Sequence, residues 1–356
     1  MHPLVLRCGG FGEIVLLTAL LDQLHARFGE PVDVVSSGSW TAPLLSGQPA
    51  VGHVFVMRSR KMPYSLSTRK QHLVRWLRDR GAGPTWFGDS TDTARDLLKR
   101  GGIPDDHVCD VASMPSVEGE HFVERWIRFA DLTPAAFEGR LPPSCAHVPS
   151  AAKLRVSTQA QAALDEWLKQ RGLGDQPLLA IQPGNRRNTR GWFRQRPTNT
   201  KYWPEGSWAQ VIRAMHDLNP DHAIVLLGVR KEYGLNADIA RFAGIQGVYN
   251  VAGDLPVSRL LPLLQRATGM ISVDTGPAHA AAALGCPTLA LFGKADPRLY
   301  RPGGVVTPAA VLTGELDGET TMLGITPESV ITAWTQLRTR CDRLGYTARR
   351  TAVRYN

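Results

Sequence analysis

Three segments of this sequence place charged or hydrogen-bonding side chains where a strand gives way to a helix. The first is Arg7-Cys8-Gly9-Gly10-Phe11-Gly12-Glu13. Gly9, Gly10 and Gly12 allow close backbone approach, and N–H groups at a helix start favour an anion. Glu13 adds a carboxylate, suited either to stabilising the first helical turn or to acting as a general base. The second is the run 271–293, ISVDTGPAHAAAALGCPTLALFG, in which an apolar strand ends at Asp274. Thr275 suits a helix cap and Pro277 the first turn, so a helix N-terminus with exposed N–H groups should follow Gly276, a site for a diphosphate. His279, one turn in, fits either a structural hydrogen bond or contact with a departing phosphate. The third is the loop 182–204, where Arg186, Arg187, Arg190, Arg194, Arg196 and Lys201 stand with no acid among them. Lys201, just before Tyr202-Trp203-Pro204, is the preferred phosphate contact, against the plainer role of a surface lysine.

The elements around these turns alternate. A strand over 3–7, a helix over 14–28 closed by Gly29 and a strand over 32–36 form the unit that builds parallel sheets. From 50 to 150 the pattern is thinner: a strand VGHVFVM, a basic helix over 68–80, a short strand TWFGD and an amphipathic helix HFVERWIRFADL. The proline-bearing stretch GRLPPSCAHVPSAAK approaches a domain boundary. After a helix over 158–170, strands LLAIQ, HAIVLLG, GVYNVAG, GMISVD and TLALFG alternate with helices as a second doubly wound domain. A last helical pattern covers 327–344.

At 356 residues, with 43% hydrophobic and 21% charged residues, the chain has the length for two domains and lacks the composition of disorder. Five scattered cysteines without a C-x-x-C pair suggest neither a disulfide framework nor a zinc knuckle, and a reducing compartment fits. Neither a signal-peptide pattern nor a spanning apolar run is visible, so a cytoplasmic location is expected, with any membrane contact peripheral on the inner face of the inner membrane. The net charge of +9 is concentrated: residues 58–80 carry a local +7, residues 186–201 +6 and the tail from Arg338 +5, leaving the remainder at −9. Such focused positive fields suit phosphorylated ligands, an anionic membrane face or nucleic acid, although any one cluster can be a solvated surface. No nucleic-acid-binding signature is present, so no nucleic acid is expected as a partner.

The glycine turn with a carboxylate after the first strand, K-[YH]-W-P before a helix, and V-D-T-G-x-x-H followed by A-A-x-x-x-x-P-x-x-x-L-[FY]-G together resemble glycosyltransferase family 9, the ADP-heptose:lipopolysaccharide heptosyltransferases. The resemblance covers 4–40 and 178–303, and the Asp274 motif is its most specific part. It implies an α/β fold of the GT-B type: two Rossmann-like doubly wound domains facing an interdomain cleft. The N-terminal domain, 1–160, would bind the acceptor and the C-terminal domain, 161–325, the sugar nucleotide. A helix and basic tail over 326–356 could cross back to the first domain.

The resemblance also implies inverting transfer without a metal or other cofactor, from a sugar-nucleotide donor, ADP-heptose, to a phosphorylated glycolipid, a lipopolysaccharide inner-core or related glycan. It assigns catalysis to Glu13, where the family usually has aspartate in S-S-x-G-D. It assigns donor binding to Lys201, Asp274, Thr275, Gly276 and His279, with Gly228 and Glu232 near the nucleoside. The basic segment from Arg58 through Arg60 and Lys61 to Lys70 falls on the family's acceptor-gripping loops. Alternatives from the same scaffold are glycosyl transfer to a protein, sugar-nucleotide epimerisation, or a catalytically degenerate anion-binding protein.

Overall fold

A computed structural model describes residues 2–57, 62–143, 151–174, 176–185, 199–303 and 309–345. Arg58, Arg60, Lys61, Cys145, the loop 186–196 and the tail beyond 345 lie outside them. The chain divides into two compact units, residues 1–155 and 156–356.

The first unit runs β1 (Leu4–Leu6), α1 (Phe11–Phe28), β2 (Val32–Ser37), α2 (Thr41–Leu45), β3 (Val51–Met57), α3 (Thr68–Arg80), β4 (Thr85–Phe87), α4 (Asp92–Arg100), β5 (Val108–Asp110) and α5 (Phe122–Asp131). Its strands form a parallel sheet in the order β3-β2-β1-β4-β5. Chain direction across the sheet therefore reverses between β1 and β4, the place where doubly wound sheets bind ligands. β1 is a continuous apolar run because it is covered on both faces, and Leu4, Val5 and Leu6 are fully buried. Helix α1 is apolar on most of its circumference, with Ile14, Val15, Leu17, Leu20 and Leu24 buried. Near its end, buried Arg27 donates to the carbonyls of Ala130, Leu132 and Pro142 (2.9 Å each) and to Thr133 Oγ1 (2.7 Å), joining α1 to the chain around and beyond α5.

Helix α1 begins at Phe11, ahead of the apolar pattern expected from residue 14, because Gly10 and Glu13 form a capping arrangement that draws the glycine-rich residues into the first turn. Gly29 closes the helix in the left-handed conformation, as its position suggests. Helix α3 matches its expected span, whereas α2, α4 and β5 go beyond the sequence reading. α4 is rich in charge and β5 has three residues, too few for a periodic signal.

The second unit runs α6 (Thr158–Lys169), β6 (Leu178–Gln182), α7 (Glu205–Leu218), β7 (Ala223–Leu226), α8 (Tyr233–Ala243), β8 (Val248–Asn250), α9 (Val257–Arg266), β9 (Gly269–Val273), α10 (Gly276–Ala283), β10 (Thr288–Phe292), α11 (Pro297–Tyr300), β11 (Ala309–Thr313), the hairpin strands β12 (Glu315–Leu316) and β13 (Glu319–Thr320), and α12 (Pro327–Arg343). Strands β6–β11 form a parallel sheet in the order β11-β10-β9-β6-β7-β8, with the reversal between β6 and β9. β11 and the hairpin are further additions to the sequence reading. The alanines of α10 are buried, so this helix lies close against the sheet.

Helix α12 belongs to the core of the second unit, where Trp334 and Leu337 pack with Ile271 and Leu289. The fit is tight at Gly269, the first residue of β9, because a Cβ there would fall on the Trp334 ring. Gly269→Ala should therefore destabilise the protein by about 1–3 kcal/mol through overpacking. Urea unfolding would measure it, and an unchanged midpoint would show that the indole has room to move.

Candidate functional site

In the first unit the chemistry gathers at the carboxyl ends of β1 and β4. Arg7 leaves β1 and reaches two ways: Nη1 donates to Gly88 O (2.6 Å), and Nη2 pairs with Glu13 Oε1 (2.5 Å). Its guanidinium also lies 5.6 Å from the centre of the Trp126 ring. The other carboxylate oxygen of Glu13 accepts from the Gly10 N–H (2.6 Å). Both oxygens are thus engaged, yet the side chain remains 45% exposed and reachable by a substrate. The expected free N–H at Gly10 is instead taken by Glu13. None of Gly9, Gly10 and Gly12 has a positive φ; at Gly9 the requirement is space, since a Cβ would sit 3.0 Å from Glu13 Cβ. Across the switch point, buried Asp89 accepts from the Cys8 N–H (3.1 Å), the Thr91 N–H (3.0 Å) and the Thr91 hydroxyl (2.7 Å). Arg7 opens the glycine-turn segment but carries no role in the sequence reading, and Asp89 none either, although each directly follows, or nearly follows, a strand.

A pocket of about 540 Å³ in the same unit is lined by Tyr64, Ser65, Lys70, Asp92, Thr93 and Arg100, among others. Lys70 is almost fully buried, with Nζ donating to Met62 O (2.6 Å), and burial pushes its ammonium below the usual lysine range.

In the second unit the structure brings Lys201, Asp274 and His279 together. Asp274 follows β9, and its backbone N–H is fixed by Leu291 O (2.9 Å). The Lys201 ammonium donates to Asp274 O (3.0 Å) and pairs with Asp274 Oδ2. His279 Nε2 lies 3.9 Å from Asp274 Oδ1. Lys201 is positioned by its neighbours: Trp203 is buried, donates to Ile325 O (3.0 Å) and packs edge-on against Trp208, while Pro204 stands at the N-cap position of α7. A backbone chain adds to this, with Lys201 N donating to Asn199 Oδ1 (3.1 Å) and Asn185 Nδ2 donating to Lys201 O (3.4 Å). Asn185 and Asn199 also escaped the sequence reading. Thr275 does stand at the cap of α10, but its hydroxyl bonds with Ser272 Oγ (3.0 Å) and makes no side-chain cap bond, which corrects the expected capping role. Gly276 then opens the helix.

Gly228 and Glu232 lie one strand away, after β7. Glu232 folds back so that Oε2 accepts from the Val229 N–H (2.8 Å). Cβ atoms on either Gly184 or Gly228 would collide with its carboxylate, so the two glycines make its seat. It is 3% exposed, and burial pushes its carboxyl above the usual glutamate range, partly offset by the Val229 N–H and the Gln182 amide. The second unit therefore presents a lysine, a carboxylate, an imidazole, a helix start and a buried glutamate along the carboxyl ends of the neighbouring strands β7, β6 and β9, around its switch point.

Two parallel-sheet α/β domains of this kind define the GT-B class of glycosyltransferase folds. The sequence matches the model of glycosyltransferase family 9 (heptosyltransferase) over residues 110–313, more than half of the chain, and the protein belongs to that family. It is a glycosyltransferase. It is 23% identical over 337 residues to lipooligosaccharide heptosyltransferase 2 of Haemophilus influenzae, covering 89% of this chain and 90% of that one. The fold is shared with the ADP-heptose LPS heptosyltransferase II of E. coli, at a TM-score of 0.71 and 20% identity, covering 96% of this chain and 100% of that one. It is shared also with a family 9 glycosyltransferase of Veillonella parvula, at a TM-score of 0.76 and 16% identity, covering 94% and 96%.

The raised carboxyl of Glu232 has a defined sign in stability. A carboxyl whose pKa is higher folded than unfolded contributes fully below its unfolded value, and that contribution is lost as pH rises through the folded value. Glu232→Gln is neutral throughout, so its melting temperature relative to the wild type should climb between the acid side of the glutamate range and neutrality. Thermal denaturation at the two extremes tests this, and a constant difference would mean that Glu232 ionises without penalty.

Proposed function

We propose that this protein transfers heptose from ADP-heptose to a lipopolysaccharide inner-core or related phosphorylated glycolipid, with inversion and without a metal ion. The observation that carries the reading is the Lys201–Asp274–His279 group beside the start of α10, because a lysine and a helix N-terminus are suited to a leaving diphosphate. Membership in family 9 supports the chemistry, and the names of its relatives supply the donor and the acceptor class.

In this reading the reaction is one displacement. An acceptor hydroxyl attacks the anomeric carbon, its proton passes to Glu13, the new glycosidic C–O bond forms, and the C–O bond to ADP breaks with the electron pair leaving on the diphosphate. Lys201 and the N–H groups of α10 stabilise the charge gathering there. Asp274 holds Lys201 in place, Glu232 accepts hydrogen bonds from the nucleoside, and Arg7 with the Gly10 N–H fixes the Glu13 carboxylate.

Glu13→Gln should lower the transfer rate by about 10²- to 10⁴-fold, the usual worth of a general base, while ADP binding persists. Turnover measured with ADP-heptose and a heptose-free inner-core acceptor checks this, and an unchanged rate would remove Glu13 from the mechanism. For the donor, thermal shift against ADP, UDP, GDP and CMP should show selective stabilisation by ADP, about 2.7 kcal/mol at a concentration near 100 times Kd. Lys201→Ala should abolish most of that shift, and preference for another nucleotide would overturn the ADP-heptose assignment.

A further inference from the structure

Side chains hold the ends of β1 and β4 together where their ladder stops. The two strands pair as far as Leu6 and Phe87, and the Gly88 N–H donates to Leu6 O (2.9 Å) beyond them. In register, the next rung of a parallel ladder would join the Cys8 N–H to Gly88 O. Side chains take both groups instead. Gly88 O accepts from Arg7 Nη1 (2.6 Å), and the Cys8 N–H donates to Asp89 Oδ2 (3.1 Å). One residue from each strand end thus reaches across to the backbone of the other, and the ladder ends without leaving these two groups unpaired.

Asp89 is fixed for this by its own surroundings. It is 2% exposed, and its other oxygen, Oδ1, accepts from the Thr91 N–H (3.0 Å) and the Thr91 hydroxyl (2.7 Å). Thr91 stands at the cap position of α4, yet its hydroxyl goes to Asp89 and makes no cap bond. Cys8 is held from its other side as well, since its side chain lies in the core cluster with Leu6, Val35, Met57 and Leu97. The turn that follows has little to anchor it. Gly9, Gly10 and Gly12 carry no side chains, and glycine leaves the backbone freer than any other residue. The place of Glu13, five residues beyond Cys8, therefore depends on how firmly the turn is tied where it begins. Arg7 and the Gly10 N–H hold the carboxylate, and Asp89 holds the backbone between them.

We propose that Asp89 is a positioning residue for glycosyl transfer: by holding the Cys8 N–H it sets the glycine turn, so that the Glu13 carboxylate stands where an acceptor hydroxyl can give up its proton. This rests on the reading of Glu13 as the base. Asp89 is buried and acts through Glu13, taking no proton itself. A carboxylate suits the task because one oxygen serves the turn while the other is locked by Thr91, and hydrogen bonds to a charged acceptor are the stronger kind. Support of this sort from behind is what keeps a reacting group within the narrow range of productive positions.

The test is a double-mutant cycle on the full chain. Transfer from ADP-heptose to a heptose-free inner-core acceptor is measured for the wild type, Asp89→Ala, Glu13→Gln and the two combined. Asp89→Ala should lower kcat about 10- to 100-fold, the scale on which a slightly displaced group loses rate, with KM for ADP-heptose and the ADP thermal shift as in the wild type. In the Glu13→Gln background the same substitution should cost less than about twofold, because the group it positions is already disabled. Asp89→Asn keeps one acceptor oxygen and should fall between the wild type and Asp89→Ala; it carries the same cycle if the alanine variant does not fold. An unchanged kcat in the Asp89 variants overturns the proposal. So does an equal fold-loss in the two backgrounds, which would give Asp89 a role in stability alone. An unchanged rate in Glu13→Gln would remove the base and this proposal with it, whereas a slow Glu13→Gln beside an unaffected Asp89→Ala would remove Asp89 only.

Discussion

The bond between the Lys201 ammonium and Asp274 ties the loop entering α7 to the carboxyl end of β9, and the local architecture of the second unit serves to make it. The lysine arrives on a segment with no regular structure of its own, so its place is set by what flanks it. Trp203 goes into the core, Asn199 and Asn185 hold the backbone, and Gly293 leaves room for the Thr200 carbonyl to pass beside the end of β10. The aspartate arrives on a buried strand and is fixed through its N–H to Leu291. Neither group is fully exposed, and removing one would leave the other short of a partner in a partly desolvated place.

Sheet topology explains why the candidate residues fall where they do. Both units reverse direction beside their first strand, and in each the residues just past the two strands at the reversal make the site: Arg7 to Glu13 with Gly88 and Asp89 in one, Gln182 to Asn185 with Asp274 in the other. A parallel sheet sends each strand end to the same edge, and at the reversal the adjoining helices lie on opposite faces, so side chains from both strands gather there without a helix in the way. Arg7 and Asp89 could not be weighted from sequence because this convergence joins positions some eighty residues apart.

Much of the fold was legible for a related reason. Fully buried strands read as apolar runs, and LVL, LLAIQ, GMISV and TLALF announce themselves, as do Gly29 after α1 and the alanine run of α10. What stayed hidden was short or polar. β5 gains its identity from pairing with β4, and α4 from packing three residues, Ala94, Leu97 and Leu98, under a charged exterior. In the site, the sequence named residue types and left their partners open: Thr275 has the chemistry of a cap, but Ser272 lies within reach and takes its hydroxyl.

The two glutamates of the candidate site show how far environment outweighs residue type. Each stands three residues beyond a helix cap, Glu13 after Gly10 and Glu232 after Val229, and each folds back to accept the cap's own N–H. Sequence alone would give Glu232 the richer cationic company, with Arg230 and Lys231 beside it. Both of those are exposed, while the carboxylate turns inward onto Gly184 and Gly228. Glu13 has no basic neighbour nearer in sequence than Arg7, yet that guanidinium closes on it across the glycine turn. One carboxylate is paired with a guanidinium and partly exposed, the other buried with no ion pair among the described residues. The first arrangement suits a group that must meet a substrate hydroxyl and take its proton, and the second suits one that waits for hydrogen-bond donors to arrive on a ligand. The same local motif, placed at two strand ends, thus leaves one carboxylate open and buries the other.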